Sequence, residues 1–102
     1  MKFERTGAFD ADWRRLSAQE RELFRAKVRD FHEAAVAQAG NPGTRWPGGL
    51  RVKSVEGAPG IWEMTWSFSG PDGRATFEWM TIDGASGIRW RRIGGHAIFK
   101  AP

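Results

Sequence analysis

The chain has 102 residues, a length typical of one domain with one modest hydrophobic core. It contains no cysteine, which excludes a disulfide framework, a thiolate zinc site and a cysteine nucleophile, and favours a reducing compartment. No apolar stretch approaches the roughly 20 residues of a membrane helix, and the first residues lack the apolar region of a signal peptide. We therefore expect a single soluble domain over residues 1–102, located in the cytoplasm, with no membrane partner.

The net charge is +4, from sixteen basic and twelve acidic residues, and the excess is concentrated near the end of the chain. Residues 1–43 are close to neutral, with eight basic and seven acidic side chains, whereas residues 87–102 contain four basic side chains and no acidic one. A local excess of this kind is typical of a surface that binds a polyanion, because neutralised phosphates release counterions. The alternative is a solvated basic face with no partner.

The first forty residues predict a short strand followed by two helices. Residues 3–6 alternate weakly and suggest the strand, and Asp10 suits the N-cap of a short helix. Ser17 and Glu20 match a capping box, and apolar residues then recur at helical spacing as far as Gly40. The apolar stripe of this second helix comprises Leu23, Phe24, Val28, Phe31 and Ala35.

The second half of the chain predicts a sheet. After a loop rich in proline and glycine at residues 40–49, apolar and polar residues alternate at 50–55, 61–68, 74–79 and 88–93. The turn sequence at 69–73 predicts an antiparallel hairpin between the middle two strands. We expect an α+β fold with about four to five antiparallel strands and the helices packed on one face. The inward-facing residues of the hairpin are Trp62, Met64, Trp66, Phe68, Ala75, Phe77 and Trp79.

The opposite face of this sheet is predicted to be open to solvent and basic, since its strand positions carry more cations than carboxylates. These positions are Arg51, Lys53, Glu63, Thr65, Arg74, Thr76, Glu78, Arg89 and Arg91.

The segment after the last strand combines residue types that suit phosphate chemistry. Arg92 offers a planar charge for phosphate oxygens, His96 supplies an imidazole, the side-chain type most often used for proton transfer, and Phe99 can stack on an unpaired base. Gly94 and Gly95 allow a sharp bend that brings His96 and Phe99 back over the sheet. Arg92 has the parity of the inward-facing residues, so it reaches the open face only if the strand contains a bulge.

Each candidate also has a purely structural interpretation. Arg74 could be solvated or paired with Glu63 or Glu78. His96 is compatible with an ordinary surface or capping role, and Phe99 with a place in the core.

The order of elements resembles that of the RelE/ParE toxin superfamily of bacterial toxin–antitoxin systems. Residues 73–79 resemble the strand in which the family carries an arginine followed by apolar residues, and residues 92–99 are similar to the Arg-x-Gly-x-His segment, with a downstream aromatic, of its YafQ-like branch. The resemblance implies a small antiparallel sheet packed on helices. It also implies cleavage of mRNA on the ribosome by attack of a 2′-hydroxyl, with no metal or other cofactor, and inhibition by an antitoxin protein.

Position by position, the resemblance implies that Arg74 and Arg92 contact phosphate, that His96 is the general acid or base, and that Phe99 is the terminal aromatic. The remaining cations of the sheet and of the end of the chain are then expected to hold the RNA. They are Arg51, Lys53, Arg89, Arg91 and Lys100.

Two glutamates are candidates for a complementary base, namely Glu63 and Glu78. Glu63 and Thr65 stand where RelE-like toxins carry lysines. ParE-like members share the fold, lack the nuclease residues and act on gyrase. The alternative is therefore a non-catalytic protein that binds gyrase or another macromolecule, or an inactive stand-alone relative.

Overall fold

A computed structural model of the chain describes residues 1–67 and 72–102. Five strands and two α-helices are joined by loops and by two short 3₁₀ turns. In chain order the elements are β1 (Lys2–Arg5), α1 (Gly7–Arg15), α2 (Ala18–Gly40), a 3₁₀ turn (Gly48–Leu50), β2 (Lys53–Ser54), β3 (Ile61–Ser67), β4 (Gly73–Ile82), β5 (Ala85–Gly94) and a second 3₁₀ turn (His96–Lys100), called below the C-terminal turn.

The five strands form one sheet in the order β1-β5-β4-β3-β2, which confirms the predicted α+β fold. Strands β2 to β5 pair antiparallel, as expected for strands joined by short connections. Strand β1 instead runs parallel to β5. No hairpin joins these two strands, because both helices and three strands separate them along the chain, so the connection does not impose an antiparallel direction.

The first helix begins one turn earlier than the sequence suggested, because Thr6 and not Asp10 is its N-cap. The Thr6 hydroxyl accepts a hydrogen bond from the backbone N–H of Phe9 (3.0 Å) and donates one to the carbonyl of Arg91 (2.7 Å). Asp10 lies inside the helix and pairs with Arg5 (2.9 Å). The contact with a distant strand therefore selects Thr6 as the cap.

The second helix begins as predicted. Ser17 accepts from the backbone N–H of Glu20 (3.1 Å), and the Glu20 side chain accepts from the backbone N–H of Ser17 (2.8 Å), which completes the capping box. The helix continues to Gly40.

Both helices contribute to one hydrophobic core against the apolar face of the sheet. Phe24 and Phe31 are buried, whereas Leu23 is 38% exposed and does not belong to the core stripe. The Phe31 ring contacts that of Phe77 edge-on with 4.9 Å between centroids, and Phe24 meets Trp90 in the same way at 5.5 Å. Full burial of one such side chain stabilises a fold by about 1.5–3 kcal/mol. The strand residues of this core are Met64, Trp66, Ala75, Phe77, Ile88, Trp90 and Ile93.

The predicted strand at 50–55 is reduced to the two residues of β2. Leu50 ends a 3₁₀ turn, and Arg51 adopts a left-handed backbone conformation with φ 46° that a continuous strand cannot include. Leu50 and Val55 nonetheless remain buried. The predicted turn at 69–71 and the inward-facing Phe68 lie outside the described residues.

The part of the polar face that carries Thr65 and Thr76 is not open, which corrects the sequence-based expectation for these positions. Side chains of Thr65 and Thr76 are 1% and 0% exposed, and Glu63 and Arg74 are also buried. Part of the cover comes from the end of the chain, because the Pro102 carbonyl accepts hydrogen bonds from the Thr76 hydroxyl (3.1 Å) and from another strand side chain. The sequence pattern of the strand could not reveal this long-range contact.

Strand β5 contains the bulge on which the position of Arg92 depends. Thr76 pairs with Arg92 and Phe77 pairs with Trp90, so β5 has one extra residue, Arg91, at this point. The bulge takes Arg92 out of register with the core residues of its strand. Arg91 then donates to the carbonyl of Pro102 (3.0 Å).

Candidate functional site

Arg92 forms an ion pair with a buried carboxylate. Its Nε and Nη2 donate to the two carboxylate oxygens of Asp12 on α1 (2.6 and 3.1 Å), and the backbone N–H of Ile93 donates to the same carboxylate (3.1 Å). Asp12 is only 6% exposed. The hydrogen bonds to Asp12 raise the pKa of Arg92 above its usual value, so this guanidinium is charged and already compensated.

Arg92 also reaches the end of the chain, since its Nη1 donates to the carbonyl of Ala101 (3.1 Å). One side chain thus joins α1, the β5 bulge and the residues after the C-terminal turn. In this structure Arg92 makes the contacts of a structural clamp.

Arg74 lies at the start of β4 and contacts two carboxylates. Its Nε is 3.6 Å from Oε1 of Glu63, and its Nη2 is 3.3 Å from Oδ2 of Asp72. The pair with Glu63 is almost fully buried, whereas Asp72 is about one-third exposed. Glu63 is therefore the partner of a cation in this structure.

The two other arginines of β5 share Glu78. One carboxylate oxygen of Glu78 lies 3.4 Å from Nη1 of Arg89, and the other lies 2.5 Å from Nη1 of Arg91. Arg89 is also 3.3 Å from Glu4 on β1. Each of these exposed or half-exposed cations is thus compensated by a neighbouring strand.

His96 and Phe99 lie together in the C-terminal turn. Their ring centroids are 5.7 Å apart in an edge-to-face arrangement, and the His96 side chain is exposed. Within residues 1–67 and 72–102 the imidazole has no hydrogen bond or ion pair. The turn packs closely over the end of β5, because a side chain at Gly94 would meet Ile98 at 3.1 Å.

The backbone brings the proposed site residues to one end of the β4–β5 pair. Arg74 is paired in register with Gly94, Arg92 is paired with Thr76 two residues further along β4, and His96 follows Gly95 directly. The side chains diverge, however, since the Arg92 guanidinium is directed to α1 and that of Arg74 to β3. The exposed imidazole of His96 thus follows a strand end whose arginines already have acidic partners.

The remaining cations predicted to bind RNA are exposed on the surface. Lys53 is exposed on the edge strand β2, Lys100 is exposed in the C-terminal turn, and Arg51 is exposed before β2. The second histidine, His32, is half-buried and stacks on Phe3 with ring centroids 3.9 Å apart. Burial lowers the pKa of His32, which fits a structural role.

Four arginines at the junction of α1 and α2 form a cluster that the sequence analysis missed. We call Arg14, Arg15, Arg21 and Arg25 the α1–α2 corner. Arg21 donates to the backbone carbonyls of Trp13 (3.1 Å) and Arg14 (3.3 Å), and the guanidinium carbons of Arg21 and Arg25 lie 5.7 and 5.3 Å from the Trp13 ring centroid. The available signal was the pair Arg14–Arg15 in the last turn of the first helix, followed by two arginines at i,i+4 spacing.

Two cavities flank these elements. A shallow cleft of about 200 Å³ separates the end of α1 from the C-terminal turn, with Arg15 and Leu16 on one side and Gly94 and Gly95 on the other. A larger cavity of about 440 Å³ lies between β1, α1 and α2 and is lined mainly by aromatic side chains of the core, among them Trp13.

The described parts of the chain contain no group of three His, Asp or Glu side chains placed to hold a metal ion. In the same parts, neither helix is long and apolar enough to cross a membrane.

The fold is similar to that of a YoeB/ParE toxin from Agrobacterium tumefaciens, with a TM-score of 0.56 over 94% of this chain and 99% of that chain. The two sequences are 14% identical over this match. No family model and no curated protein matches the sequence. The chain thus shares the α+β fold of that protein. More particularly, it has the RelE/ParE-like fold that the sequence resemblance predicted.

Proposed function

We propose that this protein is the toxin of a toxin–antitoxin pair and that it cleaves mRNA on the ribosome. The likeness to a YoeB/ParE toxin, which extends over nearly the full length of both chains, supports the toxin assignment. The observation that carries the nuclease assignment is the exposed imidazole of His96, 5.7 Å from the Phe99 ring, directly after the arginine-bearing end of β5.

Metal-free cleavage of RNA requires three tasks of a protein. The attacking 2′-hydroxyl loses its proton, the pentavalent phosphate carries extra negative charge, and the leaving 5′-oxygen gains a proton. An accessible imidazole can accept or donate one of these protons near neutral pH. His96 either accepts the proton of the 2′-hydroxyl or donates a proton to the leaving 5′-oxygen, and water exchanges the other proton. Phe99 stacks on a base next to the scissile phosphate.

Two arginines have different roles, charge stabilisation and positioning of the C-terminal turn. Arg74 stabilises the phosphate charge by exchanging its contact with the partly exposed Asp72 for a phosphate oxygen, while Glu63 keeps its side chain in place. Arg92 holds the β5 bulge and the end of the chain, and so positions the turn that carries His96. Lys100 lies in the same turn and contributes to RNA binding, with further cations at Arg51 and Lys53.

The charges of the protein also bear on the candidate base Glu78 and on the protein partner. Glu78 neutralises Arg89 and Arg91 and is therefore poorly suited to act as a base. The protein partner is an antitoxin with an acidic segment, which complements a chain of net charge +4.

A second candidate function is a non-catalytic protein that binds gyrase or another macromolecule. The specific observation in its favour is that Arg74, Arg89, Arg91 and Arg92 each contact at least one carboxylate. A phosphate would have to displace these partners, so the sheet offers no vacant arginine clamp.

Induced expression with mapping of cellular RNA 5′ ends separates the two functions. We expect the wild type to produce new ends within translated messages, the His96→Ala variant to lose them, and the control Arg29→Ala, an exposed change on α2, to keep them. Growth arrest without new RNA ends would support the binding protein. New ends that persist in the His96→Ala variant would contradict the role of His96.

A further inference from the structure

We propose that the α1–α2 corner is a binding surface for the phosphate backbone of single-stranded RNA, continuous with the C-terminal turn. This inference rests on the proposed RNA substrate and adds a second contact region to it.

The corner carries positive charge that the described part of the fold does not neutralise. Arg14 is exposed and has no carboxylate partner among residues 1–67 and 72–102. The side chain of Arg15 is 79% exposed, and its nearest carboxylate is Asp12 at 3.9 Å, which already accepts two hydrogen bonds from Arg92. Both guanidinium groups are therefore available to an external anion.

Arg21 is held in place by groups that do not cancel its charge. It donates to the carbonyls of Trp13 and Arg14 at the end of α1, and its guanidinium lies over the Trp13 ring. A guanidinium has five N–H donors, so two carbonyl contacts leave donors for a phosphate oxygen. Arg25 lies over the same ring and pairs with Glu22 (2.5 Å), both side chains being more than half exposed. The corner thus combines two cations that contact Trp13 with two exposed ones, and all four can face a polyanion.

The corner is connected to the proposed active site through the shallow cleft. Arg15 and Leu16 form the α1 side of this cleft, and Gly94 and Gly95, which directly precede His96, form the other side. The cleft is also lined by Ala97, so both sequence neighbours of His96 border it, and an RNA strand bound at the C-terminal turn can reach Arg15 along the cleft. The acidic residue of this cleft, Asp12, is 6% exposed and is bound to Arg92, so it does not repel the strand.

Two double variants with the same charge change test this surface. Arg14→Gln with Arg15→Gln removes two exposed cations of the corner, and Arg29→Gln with Arg45→Gln removes two exposed cations elsewhere. Thermal unfolding shows that each variant is folded. The probe is a fluorescein-labelled single-stranded RNA with methylated 2′-oxygens, which binds without being cleaved, and its affinity is measured by anisotropy as the salt concentration is raised.

We expect the corner variant to show a weaker salt dependence than the wild type, and the control variant to keep the wild-type dependence. Two phosphate contacts to a single strand contribute about 1.4 to the log–log slope, so between about 50 and 200 mM salt the wild-type affinity should fall about sevenfold more than that of the corner variant. Equal slopes for the corner variant and the control would overturn the proposal.

The outcome also separates this inference from the proposed nuclease. A slope difference with no new RNA ends in cells that express the wild type would leave the RNA surface standing and refute the nuclease. His96-dependent ends with equal slopes would refute the surface and leave the nuclease standing. A corner variant with wild-type RNA binding that escapes neutralisation by a coexpressed antitoxin would define a protein interface and overturn the proposal.

Discussion

Strand β5 and the α1–α2 corner are both rich in arginine, but their charges are compensated very differently. On β5, Arg89, Arg91 and Arg92 contact Glu4, Glu78 and Asp12. At the corner, Arg14 has no carboxylate partner among the described residues, and Arg15 and Arg21 have at most a distant one. The strand with three arginines in four residues is therefore the better neutralised of the two regions.

The comparison shows that a charge count along the chain does not locate a polyanion-binding surface. Residues 1–43 are nearly neutral in sequence, yet two of their carboxylates are used by β5. Glu4 and Asp12 lie 85 and 80 positions before their arginine partners. These tertiary ion pairs neutralise arginines of β5 and leave arginines of the α1–α2 corner without close carboxylates.

The largest expected effect of this difference is on stability. Arg92→Ala should lower the free energy of unfolding by about 3 kcal/mol, because it removes the close cation from the buried carboxylate of Asp12 and leaves it only the backbone N–H of Ile93 and a distant Arg15. Arg14→Ala, at an exposed position, should change it by less than about 0.5 kcal/mol. Urea denaturation measures both values. Equal effects of the two substitutions would show that the Arg92 pair is no more important than a surface charge.

A smaller effect, on RNA affinity, is expected when the arginines of the sheet lose their carboxylate partner Glu78. In the Glu78→Gln variant, Arg91 loses its carboxylate partner and Arg89 loses one of two. The affinity for the methylated RNA should therefore increase. The log–log slope of affinity against salt concentration should steepen by about 0.7 for each arginine that gains a phosphate contact. Glu33→Gln, an equal charge change at an exposed position of α2, is the control. If both substitutions raise the affinity equally, Glu78 does not mask the sheet arginines.

The elements with local or periodic signals were predictable from the sequence. The capping box of Ser17 and Glu20 identified the start of α2, and the alternation in β3 and β4 identified Met64, Trp66 and Phe77 as core residues. These features depend on neighbours within one turn or one strand pair, so a single sequence contains them.

Features that depend on distant contacts were not predictable. Thr6 and Asp10 are both suitable N-caps, and the hydrogen bond from Thr6 to the Arg91 carbonyl decides between them. The burial of Thr65 and Thr76 likewise depends on tertiary cover, with the Pro102 carbonyl bound to the Thr76 hydroxyl. A strand that alternates between apolar and polar residues indicates two faces, but it does not show what covers the polar one.

Some features of the candidate site were predictable from the sequence and others were not. The sequence placed His96 and Phe99 in one short segment after the arginines, and in the structure their rings lie 5.7 Å apart. The sequence did not identify the partners of Arg92 and Arg74, because Asp12 and Glu63 lie on other elements of the fold. It also missed the corner, because nearby acidic residues in the sequence concealed its charge.

The most direct test of the account is an NMR titration of the isotope-labelled protein with the methylated RNA, following backbone amides and arginine Nε–H groups. We expect the largest shift changes at Arg14, Arg15 and His96, with Arg89 and Arg91 changed little because Glu78 holds them. Large changes at Arg89 and Arg91, with none at the corner, would contradict the claim that the unpaired helical arginines and the C-terminal turn form the RNA-binding surface.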